Sequence, residues 1–172
     1  MASIFGHGLI AYTTAKLVDS KSSKILLILA ISSAVLPDLD VLAFKFGIDY
    51  LHPLGHRGFT HSILFAFVWS VLLSLLFGKA IKLLFAIVIF LSTVSHGILD
   101  AMTTGGEEVG FFIPFDNSRY FFSLRPIKVS PIGINEFFSE WGINVLLSEL
   151  KYIRIPCFVI LPVLFYIRKS NG

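Results

Sequence analysis

The chain alternates between apolar segments and short clusters of histidine and aspartate, and the clusters stand where successive segments begin or end. The first and third clusters open a segment, whereas the second and fourth close one. If the segments are helices that pack in alternating directions, all four clusters meet at one end of the bundle. In chain order the clusters are His7, then Asp38 with Asp40, then His56 with His61, then His96 with Asp100.

Composition places these segments in a membrane. The 172 residues are 55% hydrophobic and 15% charged, with a mean hydropathy of +0.82. A soluble domain carries about 25% charged residues. The sequence therefore predicts an all-α integral membrane bundle of four to five helices, in a single domain over 1–172. A soluble helical bundle is the alternative, and the chain has few polar groups to cover its outside.

The apolar segments are close to or below the length that crosses a bilayer, which is about 17–25 residues for a helix. We predict that Pro37 ends the second helix and that a mixed loop follows over 38–60. A long polar and aromatic region follows the fourth helix, with a surface helix expected near 135–150. The predicted apolar helices cover 3–18, 25–36, 62–77, 83–102 and 153–167.

Charge excludes some functions. The net charge of +3 and the lack of a dense basic stripe argue against nucleic-acid binding.

The single cysteine, Cys157, lies in an apolar run and cannot form an intramolecular disulfide. The first basic residue is Lys16, so the start of the chain does not match a cleaved signal peptide.

Basic residues also predict orientation. Seven stand in short dense stretches away from the clusters, and seven are spread over longer regions on the cluster side. Dense short basic loops favour the cytoplasm, so we expect a prokaryotic inner-membrane protein whose clusters face outward. The first set is Lys16, Lys21, Lys24, Lys79, Lys82, Arg168 and Lys169. The second set is Lys45, Arg57, Arg119, Arg125, Lys128, Lys151 and Arg154.

Spacing indicates metal ligands. His96 and Asp100 are four residues apart, so they share one helix face and can bind one ion together. His96 also lies inside an apolar helix, where ionisable residues usually serve function. Asp38 and Asp40 could bridge two metals, or one could bind while the other orients a histidine. Alternatively they form a solvated turn that caps the next segment.

The remaining polar residues leave alternatives open. His56 and His61 stand at a helix start, where an anion such as phosphate can bind. Arg57 suits phosphate oxygens, or it is an interfacial residue paired with a lipid headgroup or Asp49.

His7, between two glycines, is predicted to be a ligand, with an interfacial histidine as the alternative. His52, in the loop, is the weakest candidate. The carboxylates between which the sequence does not choose are Glu107, Glu108, Glu136 and Glu140.

The donor set suggests hydrolysis. Imidazole with carboxylate suits Zn²⁺, with Mn²⁺ or Fe²⁺ as alternatives. A metal held this way with an open position lowers the pKa of bound water to about 7 and supplies hydroxide.

Several strings around these residues resemble a known family. They resemble the YdjM-type family of membrane-bound proteins classed as metal-dependent hydrolases, over roughly residues 1 to 130. That family is similar in turn to the zinc-dependent phospholipase C and single-strand nuclease group, whose His-x-x-x-Asp pattern His96 and Asp100 match. The strings are Pro37-Asp38-Leu39-Asp40, His56-Arg57-Gly58-Phe59-Thr60-His61-Ser62, the stretch from Ser95 to Thr104, and Ile113-Pro114-Phe115.

The resemblance implies a helical enzyme with zinc bound by histidine and aspartate. This chain is shorter than those soluble enzymes and does not match every ligand of their three-metal cluster, so the number of metals stays open. The ligands carried over are His7, Asp38, His56, His61, His96 and Asp100, with Asp40 as a ligand or a residue that orients one.

We therefore expect a hydrolase that cleaves a phosphoester of a phospholipid or another membrane-anchored substrate. Asp38 or Asp40 would be a bridging ligand or general base, and Arg57 would stabilise developing negative charge. The expected partners are membrane lipids and divalent metal ions. Two alternatives remain: a divalent-metal transporter or sensor, and a membrane protein whose metal site is purely structural.

Overall fold

The computed structural model of the chain describes residues 1–170. These residues are mostly helical. They contain two isolated β-bridges and no β-strand of greater length. The predicted all-α architecture is confirmed. The α-helices are α1 (Ile4–Val18), α2 (Lys24–Val35), α3 (Ile63–Phe77), α4 (Lys82–Ala101), α5 (Ile134–Phe137), α6 (Glu140–Glu149) and α7 (Ile155–Ser170).

Serine caps fix where three helices begin. The side chains of Ser3, Ser23 and Ser62 accept hydrogen bonds from backbone N–H groups three residues later, at 3.1–3.2 Å. Each bond satisfies one donor that the first turn of a helix leaves unpaired. Local sequence thereby defines the start of α1, which carries His7. It also defines the start of α3, which follows directly after His61 and Ser62.

The α-helix α2 ends at Val35, just before Pro37, as predicted, but the expectation that a loop follows from residue 38 is wrong. At Leu36 the chain passes from α2 directly into a 3-10 helix, Leu36–Phe46, which ends at Gly47 with φ of 72°. Proline is accepted there because the first turn of a helix has no internal partner for its N–H. Asp38 and Asp40 are therefore held on a helix and not on a mobile turn.

The bundle is organised around α4, which packs against α1, α2 and α3, while α7 packs against α1. The start of α1, the end of α2, the start of α3 and the end of α4 lie at the same end. The core of the other half is apolar, and the outer faces expose many large apolar side chains, as lipid contact requires. Its buried residues are Ala15, Leu26, Ala30, Leu73, Phe85, Val88 and Ile89.

Three helical stretches are long and apolar enough to cross a membrane: Lys24–Phe46, Lys79–Ala101 and Glu140–Ser170. The last is continuous, because α6 runs through a π-helical turn, Leu150–Arg154, into α7. This differs from the separate surface helix that the sequence predicts near 135–150. Apolar α3 is shorter and packs along α4.

The chain between α4 and α5 crosses the cluster end of the bundle. Its two bridges pair Thr103 with Ile127 and Val109 with Tyr120. The backbone N–H of Gly110 donates to the carbonyl of Arg57 at 2.9 Å. This segment therefore covers the side chains of the four clusters.

Candidate metal centre

The histidines and aspartates at the helix ends converge in one buried cluster. The side chains of His7, His61, His96 and Asp100 are fully buried, whereas that of Asp38 keeps 14% of its surface exposed. Buried groups of this kind need hydrogen-bonding or ionic partners. The contacts of each group therefore indicate what the cluster can hold.

The centre contains two imidazoles that face each other. His61 Nε2 and His96 Nε2 are 3.0 Å apart. His96 Nδ1 lies 2.7 Å from the carbonyl oxygen of Ala34, and His61 Nδ1 lies 3.1 Å from Asp40 Oδ2. Because both of these oxygens only accept, each Nδ1 carries a proton, and the Nε2 atoms remain for binding an ion. Without a metal, a proton on Nε2 of His61 can be donated to Nε2 of His96; once that proton is lost, both Nε2 lone pairs are available to a cation.

Two carboxylates complete this arrangement. Asp38 Oδ1 lies 3.3 Å from His96 Nε2, and Asp100 Oδ2 lies 3.8 Å from His61 Nε2. One ligand atom from each of these four residues falls within 4.8 Å of all the others. Neither carboxylate oxygen forms a well-aligned hydrogen bond within residues 1–170, and the cations near Asp100 Oδ2 are Arg57 Nε at 3.1 Å and the N-terminal ammonium at 3.7 Å. The donor set fits a divalent cation, since two carboxylate oxygens and two imidazole nitrogens surround one point.

His7 lies at the edge of this group. Its ring stacks on that of His96, with centroids 3.9 Å apart and an interplanar angle of 13°. His7 Nε2 is 3.4 Å from Asp100 Oδ1, and neither ring nitrogen has a hydrogen-bond partner in the described chain. The predicted ligand His7 therefore lies beside Asp100 and His96, but neither set of ligand atoms within 4.8 Å of one another among the described residues includes it.

Asp40 and His56 form a second group with different properties. Asp40 Oδ1 is 2.5 Å from His56 Nδ1, and Asp40 Oδ2 accepts from the Arg57 N–H at 3.1 Å and the Thr60 hydroxyl at 2.7 Å. Asp40, His56 and His61 could also hold an ion, but their facing atoms already satisfy one another. This geometry favours Asp40 as the residue that orients His61, as carboxylates do behind metal-bound histidines.

Arg57 is fully buried. Its Nε lies 3.1 Å from Asp100 Oδ2, and its terminal nitrogens donate to Thr103 Oγ1 and to the carbonyl oxygen of Glu107. The alternative of an interfacial residue that pairs with a lipid headgroup or Asp49 is therefore wrong. Arg57 instead pairs with a carboxylate of the centre and fixes the covering segment over it.

Local sequence explains how α4 and α3 approach so closely. His96 and Asp100 face the centre from one side of α4, as their spacing predicts. Gly97 follows His96, and a Cβ atom at this position would lie 3.1 Å from the carbonyl oxygen of His61. A larger residue would push away the 3-10 turn Phe59–His61, and the two imidazoles would separate.

Several candidates lie outside the centre. His52 is exposed in the loop, where its Nδ1 accepts from the N–H of Leu54 at 3.1 Å. Four glutamates are exposed, and neither ligand group found in the described chain includes them. They are Glu107, Glu108, Glu136 and Glu140.

Glu149 supports the site, and the sequence reasoning missed it. Its side chain is fully buried and accepts from the backbone N–H of Ser3 at 2.5 Å and from the Ser3 hydroxyl at 2.6 Å. These bonds hold the start of α1 one turn before His7. The signal was a lone carboxylate near the start of the last apolar stretch, where an unpaired charge is costly.

Comparison with known proteins agrees with this architecture. The family described as YdjM inner membrane protein matches residues 1–171. The inner membrane protein YbcI of Escherichia coli (strain K12) is 39% identical over 147 residues, which cover 84% of this chain and 85% of YbcI. No solved structure matches the chain. With three helices able to cross a bilayer, the chain is an inner-membrane protein, and it belongs to the YdjM inner membrane protein family.

Proposed function

We propose that this protein is a membrane-bound metal-dependent hydrolase. Asp38, His61, His96 and Asp100 would hold the metal, with His7 beside them. The observation that carries the proposal is the pair of Nε2 atoms 3.0 Å apart, flanked by one carboxylate oxygen of Asp38 and one of Asp100, so that four ligand atoms lie within 4.8 Å of one another. Such a constellation is poor as a structural core and well suited to a cation.

The residues suggest which metal would bind. Two imidazoles with two carboxylates suit Zn²⁺ first and Mn²⁺ or Fe²⁺ next. When bound, such a metal supplies a hydroxide at neutral pH by lowering the pKa of its water to about 7. The partly exposed Asp38 side chain marks the open side of the centre, where water and substrate would enter.

The other polar residues have separate tasks in this proposal. Asp40 holds the Nδ1 proton of His61 and so keeps its Nε2 available. Asp38, on the open side, would accept a proton from the attacking water. Arg57 keeps a positive charge 3.1 Å from Asp100 Oδ2, and this charge would favour the negative charge that develops on a substrate phosphoryl group.

A groove beside the centre supports a lipid phosphoester as the substrate. It lies between α1 and α2, has a volume of about 670 Å³, and is lined by apolar residues and Ser32. Leu36 and Leu39, which flank Asp38 in the 3-10 helix, are part of its wall. An acyl chain in this groove would leave its headgroup at the open side of the centre without leaving the bilayer.

The distribution of buried charge argues against ion transport. Every buried ionisable side chain in residues 1–170 lies at the cluster end of the bundle. The buried polar residues deeper in the bundle are serines and threonines. Ser70 and Thr93 donate to carbonyl groups of their own helices, whereas the hydroxyls of Thr13 and Ser92 have no partner within residues 1–170. A continuous ion path through the bundle would need charged groups as well as these two hydroxyls.

The test is elemental analysis of the detergent-purified protein, followed by assays on phospholipid phosphoesters. We expect at least one zinc or manganese ion per chain, and loss of both metal and turnover in the His61→Ala/Asp100→Ala variant. His52→Ala is the matched control and should keep both. A wild-type protein that binds no metal after loading would refute the proposal. Bound metal without hydrolysis of any phosphoester would leave a structural metal site.

A further inference from the structure

A second site lies at the other end of the bundle from the metal centre. Here α1 and α7 diverge and leave a cleft of about 540 Å³. The cleft lies between the last turns of α1 and the last turns of α7, on the side where the short basic loops are found. None of its residues contacts the histidine cluster.

The outer part of the cleft, at the ends of the two helices, is basic. It contains Lys16, Lys21, Arg168 and Lys169, and none of these four pairs with a carboxylate within residues 1–170. The Arg168 guanidinium donates to the carbonyl oxygens of Lys16 and Leu17 at 2.8 and 2.7 Å. It therefore caps the end of α1 and adds its charge to the cleft in a fixed position.

The inner part of the cleft, one to two turns before the helix ends, is apolar. Leu161, Leu164 and Phe165 line it from α7, and Tyr12 lines it from α1. This part continues into the lipid-facing surface of α7, where Phe158 and Val159 are exposed. One ligand that fits both parts has a long apolar part and a negatively charged end.

We propose that this cleft binds an anionic phospholipid of the inner membrane, with its phosphate among the four basic residues and an acyl chain along α7. Charge complementarity decides the occupant. The four basic residues have one carboxylate near them in sequence, that of Asp19, whose Oδ1 accepts from the backbone N–H of Lys21. Basic pockets between membrane helices on the cytoplasmic side bind acidic lipid headgroups in this way.

This site is independent of the proposed hydrolase activity. It uses no residue of the metal centre and lies at the opposite end of the helices. Lipid bound here would hold α7 against α1. The test below needs neither metal nor turnover, so its result and that of the hydrolase test can differ freely.

The experiment measures lipid binding to the full-length protein in detergent by native mass spectrometry. The probes are dioleoyl-phosphatidylglycerol and dioleoyl-phosphatidylcholine. We expect one phosphatidylglycerol to remain bound where phosphatidylcholine is lost. The Lys21→Gln/Lys169→Gln variant should bind phosphatidylglycerol about 25-fold more weakly, since each basic residue near an acidic lipid contributes about a fivefold factor.

The matched control is Lys79→Gln/Lys82→Gln, which removes the same charge from the same end of the bundle but outside the cleft. Its affinity should stay close to that of the wild type. An equal loss in both variants would overturn the proposal, because it would reflect general surface charge. Equal retention of both lipids, or displacement of the lipid by soluble glycerol phosphate, would overturn it too.

Discussion

Arg57 and Asp100 form a buried ion pair across the metal centre, with Nε 3.1 Å from Oδ2 and no solvent exposure on either side chain. The pair joins the covering segment to the end of α4. It also sets a negative charge beside two histidines whose Nε2 atoms are 3.0 Å apart. Arg57 and the N-terminal ammonium, 3.7 Å from Oδ2, therefore balance the charge of Asp100 in the absence of a metal.

Replacing Asp40 should weaken metal binding without unfolding the protein. In Asp40→Asn the carboxylate that accepts the His61 Nδ1 proton becomes an amide, so the ring is no longer held in one orientation. Loss of such an orienting carboxylate lowers metal affinity about 10–100-fold. Competition with a chromogenic zinc chelator measures this, with the exposed Asp49→Asn as control. A metal affinity equal to that of the wild type would show that Asp40 does not orient His61 for metal binding.

Metal affinity should rise with pH. Burial alone lowers the pKa of His61, but hydrogen bonds and charges from Asp100 and Asp40 outweigh burial and raise it to about 9. Below that pH a metal must displace a proton from His61, so affinity should increase about tenfold per pH unit towards pH 9. Calorimetric zinc titrations between pH 6 and pH 9 measure the affinity at each pH. Repeating them in two buffers of different ionisation enthalpy measures the number of protons released on binding. An affinity that is flat over this range would show that His61 is already neutral.

Removing the charge of Arg57 should destabilise the metal-free protein. Arg57→Met leaves Asp100 buried without its partner, and breaking a buried pair in this way costs about 3–5 kcal/mol. The loss should be smaller after metal loading, because the ion then balances the carboxylate. Unfolding in mixed detergent micelles measures both states, with exposed Arg125→Met as control. Equal destabilisation with and without metal would show that Arg57 does not balance a carboxylate that binds the metal.

Glu149→Gln should loosen the start of α1. The carboxylate accepts two hydrogen bonds from Ser3, and an amide nitrogen in its place would face a donor. We expect a loss of about 1–3 kcal/mol in stability and weaker metal binding through His7. The exposed Glu140→Gln variant is the control. If Glu149→Gln matches the wild type in both measurements, the contact with Ser3 contributes neither to stability nor to metal binding.

Much of the site could be predicted because its residues follow the periodicity of the helices. The spacing of His96 and Asp100 places both on one face of α4, and the alternation of helix direction brings His7 and His61 to the same end. These features depend on local sequence alone. Hydropathy predicted the apolar parts 25–36, 83–102 and 153–167 of the three stretches that can cross a membrane, but not the helical extensions that lengthen the first to Phe46 and begin the last at Glu140.

The remainder depends on contacts between distant parts of the chain. Arg57 reaches Asp100 only because the covering segment folds over both, and no local pattern identifies that partner. The 3-10 helix after Leu36 was missed because proline at a helix start resembles proline at a helix end. Glu149 was missed because its partner, Ser3, lies 146 residues away.

That separation has a consequence for biosynthesis. The backbone N–H of Ala2 donates to Asp100, 98 residues later, and the backbone N–H of Ser3 donates to Glu149, 146 residues later. The first helix leaves the ribosome long before either partner exists, so its polar start must remain at the membrane surface until α6 is made. The cluster can close only after nearly the whole chain has been inserted, so any ion that it binds would be loaded late in assembly.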